Sequence, residues 1–197
     1  MSLILASASA TRASLLHAAG VPFEVRPAHV DEDAIKDNMR ADGADARAIA
    51  DALAEAKALR ISLSCPGELI LGADQVLDFD SELVSKSPDL EAGAALLRRL
   101  RGKAHKIVTA AALARDGLVL WRHVTVATMT MRDFSDAFLA NYLAVEGEAL
   151  LSSVGCFQIE GRGLQLFSRI DGDYYSILGL PMIPLLTALR AQGIIGA

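Results

Sequence analysis

The chain has 197 residues and a formal net charge of −5, because 24 Asp and Glu outnumber 19 Lys and Arg. Hydrophobic residues make up 52% of the sequence and charged residues 22%, which argues against an intrinsically disordered chain. The acidic balance argues against binding to polymeric nucleic acid, which requires a basic face. No apolar run approaches the roughly 18–20 residues of a membrane span, so we expect no membrane partner. A chain of this length forms one domain or two closely associated lobes.

The cysteine content and the N-terminal segment bear on the cellular compartment. Cys65 and Cys156 are the only cysteines, and their spacing matches no metal-binding motif. Two buried, reduced thiols in a cytosolic protein are therefore expected. The segment MSLILASAS is too short for a signal peptide and lacks its basic start. We expect a soluble, cytoplasmic protein.

The first half of the chain alternates between short apolar runs and segments with helical spacing. The charged segment 31–42 has few large apolar residues and is expected to be a loop or a frayed helix. The other expected elements are a strand over 3–6, a helix over 11–19, a strand over 23–26, a helix over 46–62 capped by Asp45, and a strand over 69–77.

The second half mixes strands and helices in the same way. Ser87 is expected to cap a helix with Pro88 at its first position, ending near residue 100. Asp116-Gly117 predicts a hairpin turn. The expected elements are strands over 106–114 and 118–131, a helix through 144 capped by Ser135, a strand over 164–170, and a helix from 181 or 182 to 191. An antiparallel hairpin among βα elements predicts an α/β fold with a mixed sheet.

The turn after the first strand is one candidate site, since Ser7, Ser9 and Arg12 lie there among small residues. Small residues allow the backbone to approach a ligand closely, and a helix N-terminus presents unpaired N–H groups to an anion. Such a turn could bind a phosphate. Alternatively the serines cap the helix and Arg12 is solvated, and composition alone favours this alternative.

Asp74 is a second candidate because it interrupts an apolar strand, beside Gly72 and Ala73. A carboxylate in such a strand is costly unless it is paired or binds a metal. It could hold Mg²⁺ or accept a proton from water. Alternatively the strand ends here and Asp74 begins a turn, and the residues alone favour neither interpretation.

Three further charged residues are weaker candidates when each is considered alone. Lys57 lies among alanines on a predicted helix, where a lysine is ordinarily solvated. Lys86 lies just before another predicted helix, where a cation is slightly unfavourable. A ligand phosphate would explain Lys86, although a lysine in a loop needs no explanation. Glu160 lies in the glycine-rich segment 155–163, which indicates a folded-back loop. A carboxylate there could read a base, although an exposed loop carboxylate is the more common case.

Together and in this order, the candidate segments resemble the Maf (septum-formation-inhibitor-like) nucleoside triphosphate pyrophosphatases over nearly the whole chain. The main departures are Ala10 for the family's proline and Thr11 for the first of its two arginines. The matching segments are Leu5–Arg12 with Leu15-Leu16 (LASxSPRRxxLL in the family), Val30–Glu32 (VDE), Leu53-Ala54 with Lys57-Ala58 (LAxxKA), Gly72–Val76 (GADT/QV), Lys86 (GKP), Gly102, His105, Val108 and Thr109 (GxxHxVxT), and Gly155–Gly163 with Gly172 and Gly179–Pro181.

The resemblance implies a single Maf-like domain over residues 1–197. Its fold would be an elongated, two-lobed α/β structure with a mixed sheet, flanking helices and a central nucleotide cleft, as in inosine triphosphate pyrophosphatases. The resemblance implies hydrolysis of a nucleoside triphosphate to the monophosphate and pyrophosphate with a divalent cation, Mg²⁺ or Mn²⁺. It also implies a homodimer.

The resemblance assigns roles to particular residues by position. Asp74 is implied as the catalytic carboxylate, which activates water or holds the metal, and Glu32 as a second metal ligand. Such chemistry needs cations, because negative charge shields the phosphorus from water. The residues implied to bind the triphosphate are Ser7, Arg12, Lys57 and Lys86.

Substrate choice in the family is implied at Thr11, Gln75 and Glu160. The branch similar to dTTP/UTP pyrophosphatases tends to have Arg, Thr and Gln at these positions. The branch similar to 7-methyl-GTP pyrophosphatases has Gln and Glu at the last two, as here. A carboxylate can accept two hydrogen bonds from guanine and complements the charge of a methylated guanine, and such a site rejects a wrong base strongly.

We therefore expect a guanine-type nucleotide, 7-methyl-GTP in particular, as the substrate, although Thr11 cannot stack on a base. One alternative is a dTTP/UTP pyrophosphatase of the same family, and another is an enzyme of the same fold for deaminated purines. A nucleotide-binding regulator of septation without turnover is the alternative from a different functional class, but the retained acids and lysines argue against it.

Overall fold

The computed structural model describes residues 2–196, which divide into two compact units. The first unit comprises the described residues up to Gln75, Val108–Val126, and those from Asp173 onward. The second unit comprises Val76–Ile107 and Ala127–Gly172. Across residues 2–196, no helix is both long and apolar enough to cross a bilayer.

The strands confirm the expected mixed sheet. The strands are β1 Leu3–Leu5, β2 Phe23–Val25, β3 Leu69–Phe79, β4 Glu82–Val84, β5 Ala104–Arg115, β6 Leu118–Met131 and β7 Phe167–Asp171. Strands β1 and β2 are parallel, as are β1 and β3, whereas the pairs β3–β4 and β6–β7 are antiparallel. The hydrogen-bonded order is β2-β1-β3-β5-β6-β7, with β4 paired to β3.

Helices alternate with these strands, which confirms the α/β class. Most helices begin where an Asp or Ser side chain accepts a backbone N–H three residues later. Two short 3₁₀ helices span Gly147–Ser152 and Arg162–Leu166. The α-helices are α1 Ala10–Ala18, α2 Glu32–Ala41, α3 Ala46–Ser62, α4 Leu90–Leu100, α5 Asp136–Glu146, α6 Tyr174–Ile177 and α7 Met182–Ala191.

The expected caps are confirmed at two helices and wrong at a third. Asp45 and Ser135 cap α3 and α5 as predicted. Helix α4 is capped by Asp89, whose Oδ1 accepts the Ala92 N–H at 2.8 Å, and not by Ser87. The Ser-Pro-Asp sequence contains two good N-cap types, and only the second lies at the required spacing from the helix.

The expectation of a loop or frayed helix over 31–42 is wrong, because α2 is a full helix. No side chain of α2 is buried, so the usual apolar signal is missing. The helix is instead capped by Asp31, whose Oδ1 accepts the Ala34 N–H at 3.0 Å. Lys36 lies 3.6 Å from both Glu32 and Asp33, a spacing that stabilises helices.

Two other differences arise from short elements. The strand expected over 164–170 begins only at Phe167, because the preceding residues form the second 3₁₀ helix. Strand β4 and helix α6 have three and four residues, too few for hydrophobic periodicity to reveal. The hairpin turn is confirmed: Asp116 and Gly117 both have positive φ, 50° and 78°, as a type I′ turn requires.

The part of strand β3 that belongs to the first unit, up to Gln75, has a different partner on each face. Side chains alternate along a strand, so Leu71 and Ala73 enter a core that also includes residues of β1, β5, α1 and α7. The even-numbered residues face α3. A Cβ at Gly72 would lie 2.1 Å from the Ala54 carbonyl oxygen, so helix and strand meet there backbone to backbone.

The second unit buries an aromatic cluster around His105. This side chain is only 2% exposed, and its ring packs against Phe157 and Phe167 at centroid distances of 5.7 and 5.9 Å. Neither ring nitrogen has a hydrogen-bond partner within residues 2–196. Burial lowers the pKa of His105 to about 4, since an apolar site disfavours the charged imidazolium. Cys65 and Cys156 are buried and free, as expected.

Substituting Gly72→Ala should destabilise the first unit. The added Cβ would meet two backbone atoms of α3, the Ala54 oxygen at 2.1 Å and the Ala58 nitrogen at 2.6 Å, and neither can move without shifting the helix. We expect the free energy of unfolding to fall by about 2 kcal/mol or more, measured by urea denaturation. Gly196→Ala, where a Cβ meets open space, is the control; equal stability of both variants would contradict the close packing.

Acidification should destabilise the protein through His105. The unfolded chain binds a proton near pH 6.5 but the folded chain only near pH 4, so this residue's contribution is complete above 6.5 and lost as the pH falls to 4. The difference corresponds to about 3 kcal/mol. His105→Phe keeps a ring but cannot titrate, so its stability should fall less over this range. Parallel pH profiles of the two proteins in urea denaturation would contradict the prediction.

Candidate active site

The centre of the candidate site is the ammonium group of Lys57, which contacts two carboxylates. Its Nζ lies 2.5 Å from Oδ1 of Asp74 and 2.7 Å from Oε1 of Glu32. Lys57 is 8% exposed and Asp74 is 5% exposed, whereas Glu32 is half-buried. The three residues, which the sequence placed on separate elements, come together within the first unit.

Local sequence explains why these side chains meet. Asp74 lies two residues after Gly72 on β3 and therefore faces α3. Lys57 follows Ala54 by three residues, so it lies on the helix face that contacts β3. The sequence alone favoured a solvated lysine at this position. Lys57 follows the buried Leu53 by four residues and the buried Ala54 by three. This helical spacing is the signal from which the burial of Lys57 could have been predicted.

Electrostatics favour the ionised form of Glu32. Burial alone would raise its pKa, but the hydrogen bond and charge of Lys57, with a contribution from Lys36, lower the pKa below its usual value. A buried charge without a partner is strongly destabilising. Lys57 therefore stabilises two negative charges in one place, where they could accept a proton or bind a cation.

Arg12 is anchored to three segments of the first unit. Its Nη1 donates to Ser7 Oγ at 3.1 Å and to the Ala73 carbonyl at 2.9 Å. Its Nε donates to the Gly179 carbonyl at 3.0 Å. Burial lowers the pKa of Arg12, while the charges of Asp74 and Glu32 oppose this shift. The alternative of a solvated Arg12 is therefore wrong.

The two serines of the first turn have different partners. Ser9 caps α1, since its Oγ accepts the Arg12 N–H at 3.3 Å. Ser7 is buried, and its Oγ also accepts the Ser9 N–H at 3.2 Å. Thr11 is half-buried within α1. The structure thus brings Ser7 and Arg12 together. Arg12 also donates to the carbonyl of Ala73, the residue directly before Asp74.

Gln75 is held by the protein through its amide nitrogen. Nε2 lies 2.9 Å from Thr109 Oγ1, 3.1 Å from the Ser176 carbonyl and 2.9 Å from the Ile177 carbonyl. Thr109 itself donates to the Ser176 carbonyl at 2.8 Å. An amide has two N–H groups, so these acceptors satisfy both. Sequence reasoning did not identify Thr109 or Ser176 as partners, because nothing local indicates contact with α6.

The second unit carries the remaining two candidates. Lys86 is exposed in the segment between β4 and α4, and Glu160 is exposed in the loop between the two 3₁₀ helices. Neither has a hydrogen bond or ion pair within residues 2–196. Lys86 and Glu160 are therefore free to contact a ligand.

The donor set fits a hard divalent cation shared with a substrate. Within residues 2–196 no group of three or more His, Cys, Asp or Glu side chains could hold a metal ion. Asp74 and Glu32 nevertheless lie against the same ammonium. Mg²⁺ is commonly bound by one or two carboxylates together with substrate phosphates. These two carboxylates suit Mg²⁺ or Mn²⁺ in that manner.

Comparison with known proteins decides the family. The model of the family described as "Maf-like protein" matches residues 2–192. A nucleoside triphosphate pyrophosphatase of Granulibacter bethesdensis is 53% identical over 190 residues, covering 96% of each chain. The chain belongs to the Maf family.

Other Maf relatives carry a more specific name. A 7-methyl-GTP pyrophosphatase of Rhizobium meliloti is 47% identical, covering 99% of this chain and 98% of the relative. A protein of Brucella abortus with the same name is 45% identical, covering 96% of each. A solved dITP/XTP pyrophosphatase of Mycobacterium abscessus has a TM-score of 0.44 at 14% identity, covering 98% and 96% of the two chains.

Removing the ammonium should expose the coupling within this cluster. Lys57→Met leaves Asp74 buried without a partner, and we expect a loss of about 3 kcal/mol in the free energy of unfolding. Asp74→Asn in the same chain removes that charge, so the double variant should be more stable than the sum of the single losses. Lys36→Met, which breaks only surface pairs, should cost less than about 1 kcal/mol. Additive losses in urea denaturation would contradict the ion pair.

Proposed function

We propose that this protein hydrolyses a nucleoside triphosphate to the monophosphate and pyrophosphate. In this reaction a water oxygen bonds to phosphorus, the bridging P–O bond between the α and β phosphates breaks, and pyrophosphate leaves. The observation that carries the proposal is the buried Lys57 holding Asp74 and Glu32 together in a Maf-family chain. The names of the Granulibacter and Brucella relatives support the same reaction.

Asp74 is the proposed catalytic carboxylate. Its position on a buried strand fixes the carboxylate, and Lys57 stabilises its charge. A fixed carboxylate can orient a water molecule and accept its proton as the oxygen bonds to phosphorus. Glu32, at the start of α2, offers a second acceptor beside the same ammonium.

Charge balance supports a role for a divalent cation. In the first unit the two positive charges of Lys57 and Arg12 balance the two negative charges of Asp74 and Glu32. These four residues therefore offer a triphosphate no net positive charge. Asp74 and Glu32 would hold Mg²⁺ or Mn²⁺. When bound, the cation neutralises phosphate charge and lowers the barrier to attack.

Four residues are proposed to bind the triphosphate, in two different ways. Lys86 is exposed, has no partner among residues 2–196 and can pair directly with a phosphate oxygen. Ser7 can donate its hydroxyl hydrogen while accepting from Arg12. Nε and Nη1 of Arg12 donate to protein acceptors and fix the position of Ser7, whereas Nη2 has no hydrogen-bond partner within residues 2–196 and can donate to a phosphate. Lys57 contributes the charge of its ammonium, which lies against the two carboxylates.

A guanine-type base, 7-methylguanine in particular, is the proposed specificity. Glu160 is exposed and has no partner in the part of the chain that the structure describes, so its two oxygens can accept from the N1–H and exocyclic amine of guanine. The Rhizobium and Brucella relatives named for 7-methyl-GTP support this choice. Gln75 is proposed to act indirectly, because its N–H groups hold Thr109 and α6. Among the described residues, 2–196, Thr11 makes no contact that supports a direct role for it.

The remaining expectations stay predictions. They are the single Maf-like domain, the nucleotide cleft, the homodimer, the cytoplasmic location and the absence of nucleic-acid and membrane partners. The experiment below tests the reaction itself, on which the assigned residue roles depend.

Pyrophosphate release should be measured with 7-methyl-GTP, GTP, UTP, dTTP and ITP in the presence of Mg²⁺. We expect preferential release from 7-methyl-GTP and a loss of at least about 100-fold in kcat for Asp74→Asn, which can no longer accept a proton. Asp78→Asn, at a half-buried position on the same strand, is the matched control and should retain activity.

Each outcome of this panel has a distinct meaning. Preference for UTP or dTTP would keep the reaction and overturn the role of Glu160. Preference for ITP would favour an enzyme for deaminated purines. No release by folded protein from any nucleotide would overturn the enzymatic proposal in favour of a nucleotide-binding regulator.

A further inference from the structure

The loop that carries Glu160 is attached to the segment that carries Lys86. The sulfur of Cys156, four residues before Glu160, lies 3.3 Å from Oγ of Ser87, which directly follows Lys86. Cys156 is fully buried at 0% exposure. All of these residues belong to the second unit. One buried contact therefore joins the two exposed side chains proposed to bind opposite ends of a nucleotide.

A glycine of α4 makes room for this sulfur. A Cβ at Gly93 would lie 3.1 Å from Sγ of Cys156 and 3.9 Å from Cβ of Ser87. The 3.1 Å separation is shorter than most Cβ contacts in proteins, so a larger residue at position 93 would push the sulfur of Cys156 away. We call Ser87, Gly93 and Cys156 the loop clasp.

The backbone at the clasp is held in an uncommon conformation. Cys156 has a φ of +54°, which is unfavourable for a residue with a Cβ. Surrounding contacts must offset this strain. The Tyr142 hydroxyl donates to the Cys156 carbonyl at 3.3 Å, so both the side chain and the backbone of Cys156 are fixed.

The residues next to Cys156 also restrict the loop. The Phe157 ring packs edge-on against Phe167 at 4.9 Å and also contacts His105. Gly155 must lack a side chain, because a Cβ there would lie 2.1 Å from the Phe157 ring. The loop is thus anchored by the consecutive side chains of Cys156 and Phe157. Glu160 is exposed on the part of the loop that follows these anchors.

We propose that the loop clasp couples recognition of the base by Glu160 to binding of the phosphates by Lys86. This inference rests on the proposed function and extends it. The contact between Ser87 and Cys156 fixes the Lys86 segment relative to the loop that carries Glu160. A nucleotide that engages both residues gains from their fixed separation, whereas a fragment that engages only one does not. Cys156 is accordingly a positioning residue.

The test is a double-variant cycle in two backgrounds. Affinity is measured by calorimetry for the Lys86→Met, Glu160→Gln and combined variants, first in the otherwise natural chain and then in Cys156→Ala. The ligand is the analogue of 7-methyl-GTP in which a methylene group replaces the α–β bridging oxygen, so that it is bound but not hydrolysed. In the natural chain, we expect Glu160→Gln to weaken binding at least about 5-fold more when Lys86 is present than when it is Met. In the Cys156→Ala background the two effects should become independent.

Additional variants separate the clasp from general instability. Cys156→Ser keeps a donor to Ser87 and should restore part of the coupling. Cys156→Gly relieves the backbone strain but loses the sulfur, so it should behave as Cys156→Ala. Cys65→Ala, at the buried cysteine of the first unit, should leave the coupling and the base preference unchanged. Urea denaturation of every variant identifies any that are unfolded.

The outcomes distinguish this inference from the function on which it rests. Equal coupling in the natural and Cys156→Ala backgrounds would overturn the role of the clasp, even in an active enzyme. Coupling that is retained in Cys156→Gly but lost in Cys156→Ala would assign the effect to backbone strain and also overturn it. Absence of pyrophosphate release by the natural protein would overturn the proposed function instead, while nucleotide binding still reports on the coupling.

Discussion

The candidate site depends on one buried ammonium group. Asp74 on β3 and Glu32 at the start of α2 would repel each other at the same point in the fold, and the Lys57 ammonium of α3 lies against both carboxylates. The ion cluster therefore ties three secondary-structure elements together while it concentrates negative charge at one place. Arg12 adds a second cation to this neighbourhood and links the first turn to the backbone beside Asp74. The same charges therefore contribute to the stability of the first unit and to the proposed reaction. The cluster that could bind a metal or orient water also joins α2 to the rest of that unit.

The sequence contained enough information for the fold class and for most elements. The apolar runs around Leu71 and the Asp116-Gly117 turn follow local rules, and the structure agrees with both. The sequence was misleading where stability does not come from apolar burial. Helix α2 has no buried side chain and is stabilised by its cap and its charges, so hydrophobic periodicity could not reveal it. Ser87 and Asp89 are equally good caps by composition, and only the path of the chain selects Asp89.

The site was predicted in part, for reasons that differ between residues. Asp74 attracts attention because a carboxylate in an apolar strand requires a partner, and the structure supplies Lys57. The lysine itself is ordinary by sequence, since its burial depends on α3 packing closely against β3. Gln75 and Thr109 are 34 residues apart, and both bond to α6 far along the chain. Contacts of this range leave no local pattern. The resemblance to a family identified these positions, and the structure supplied their partners.

The contact at Gly72 also affects how the site responds to charge. Helix α3 and strand β3 meet there through backbone atoms, and backbone held in hydrogen-bonded ladders has no rotamers into which it can relax. The contact therefore fixes the distance between α3 and β3. Polar groups carried by two closely packed elements keep their orientation when charge develops beside them. Little free energy is then lost in reorienting dipoles around that charge. Gly72 has no side chain and takes no part in the proposed reaction. By allowing this close contact, it keeps the charges of Lys57 and Asp74 oriented before the reaction begins.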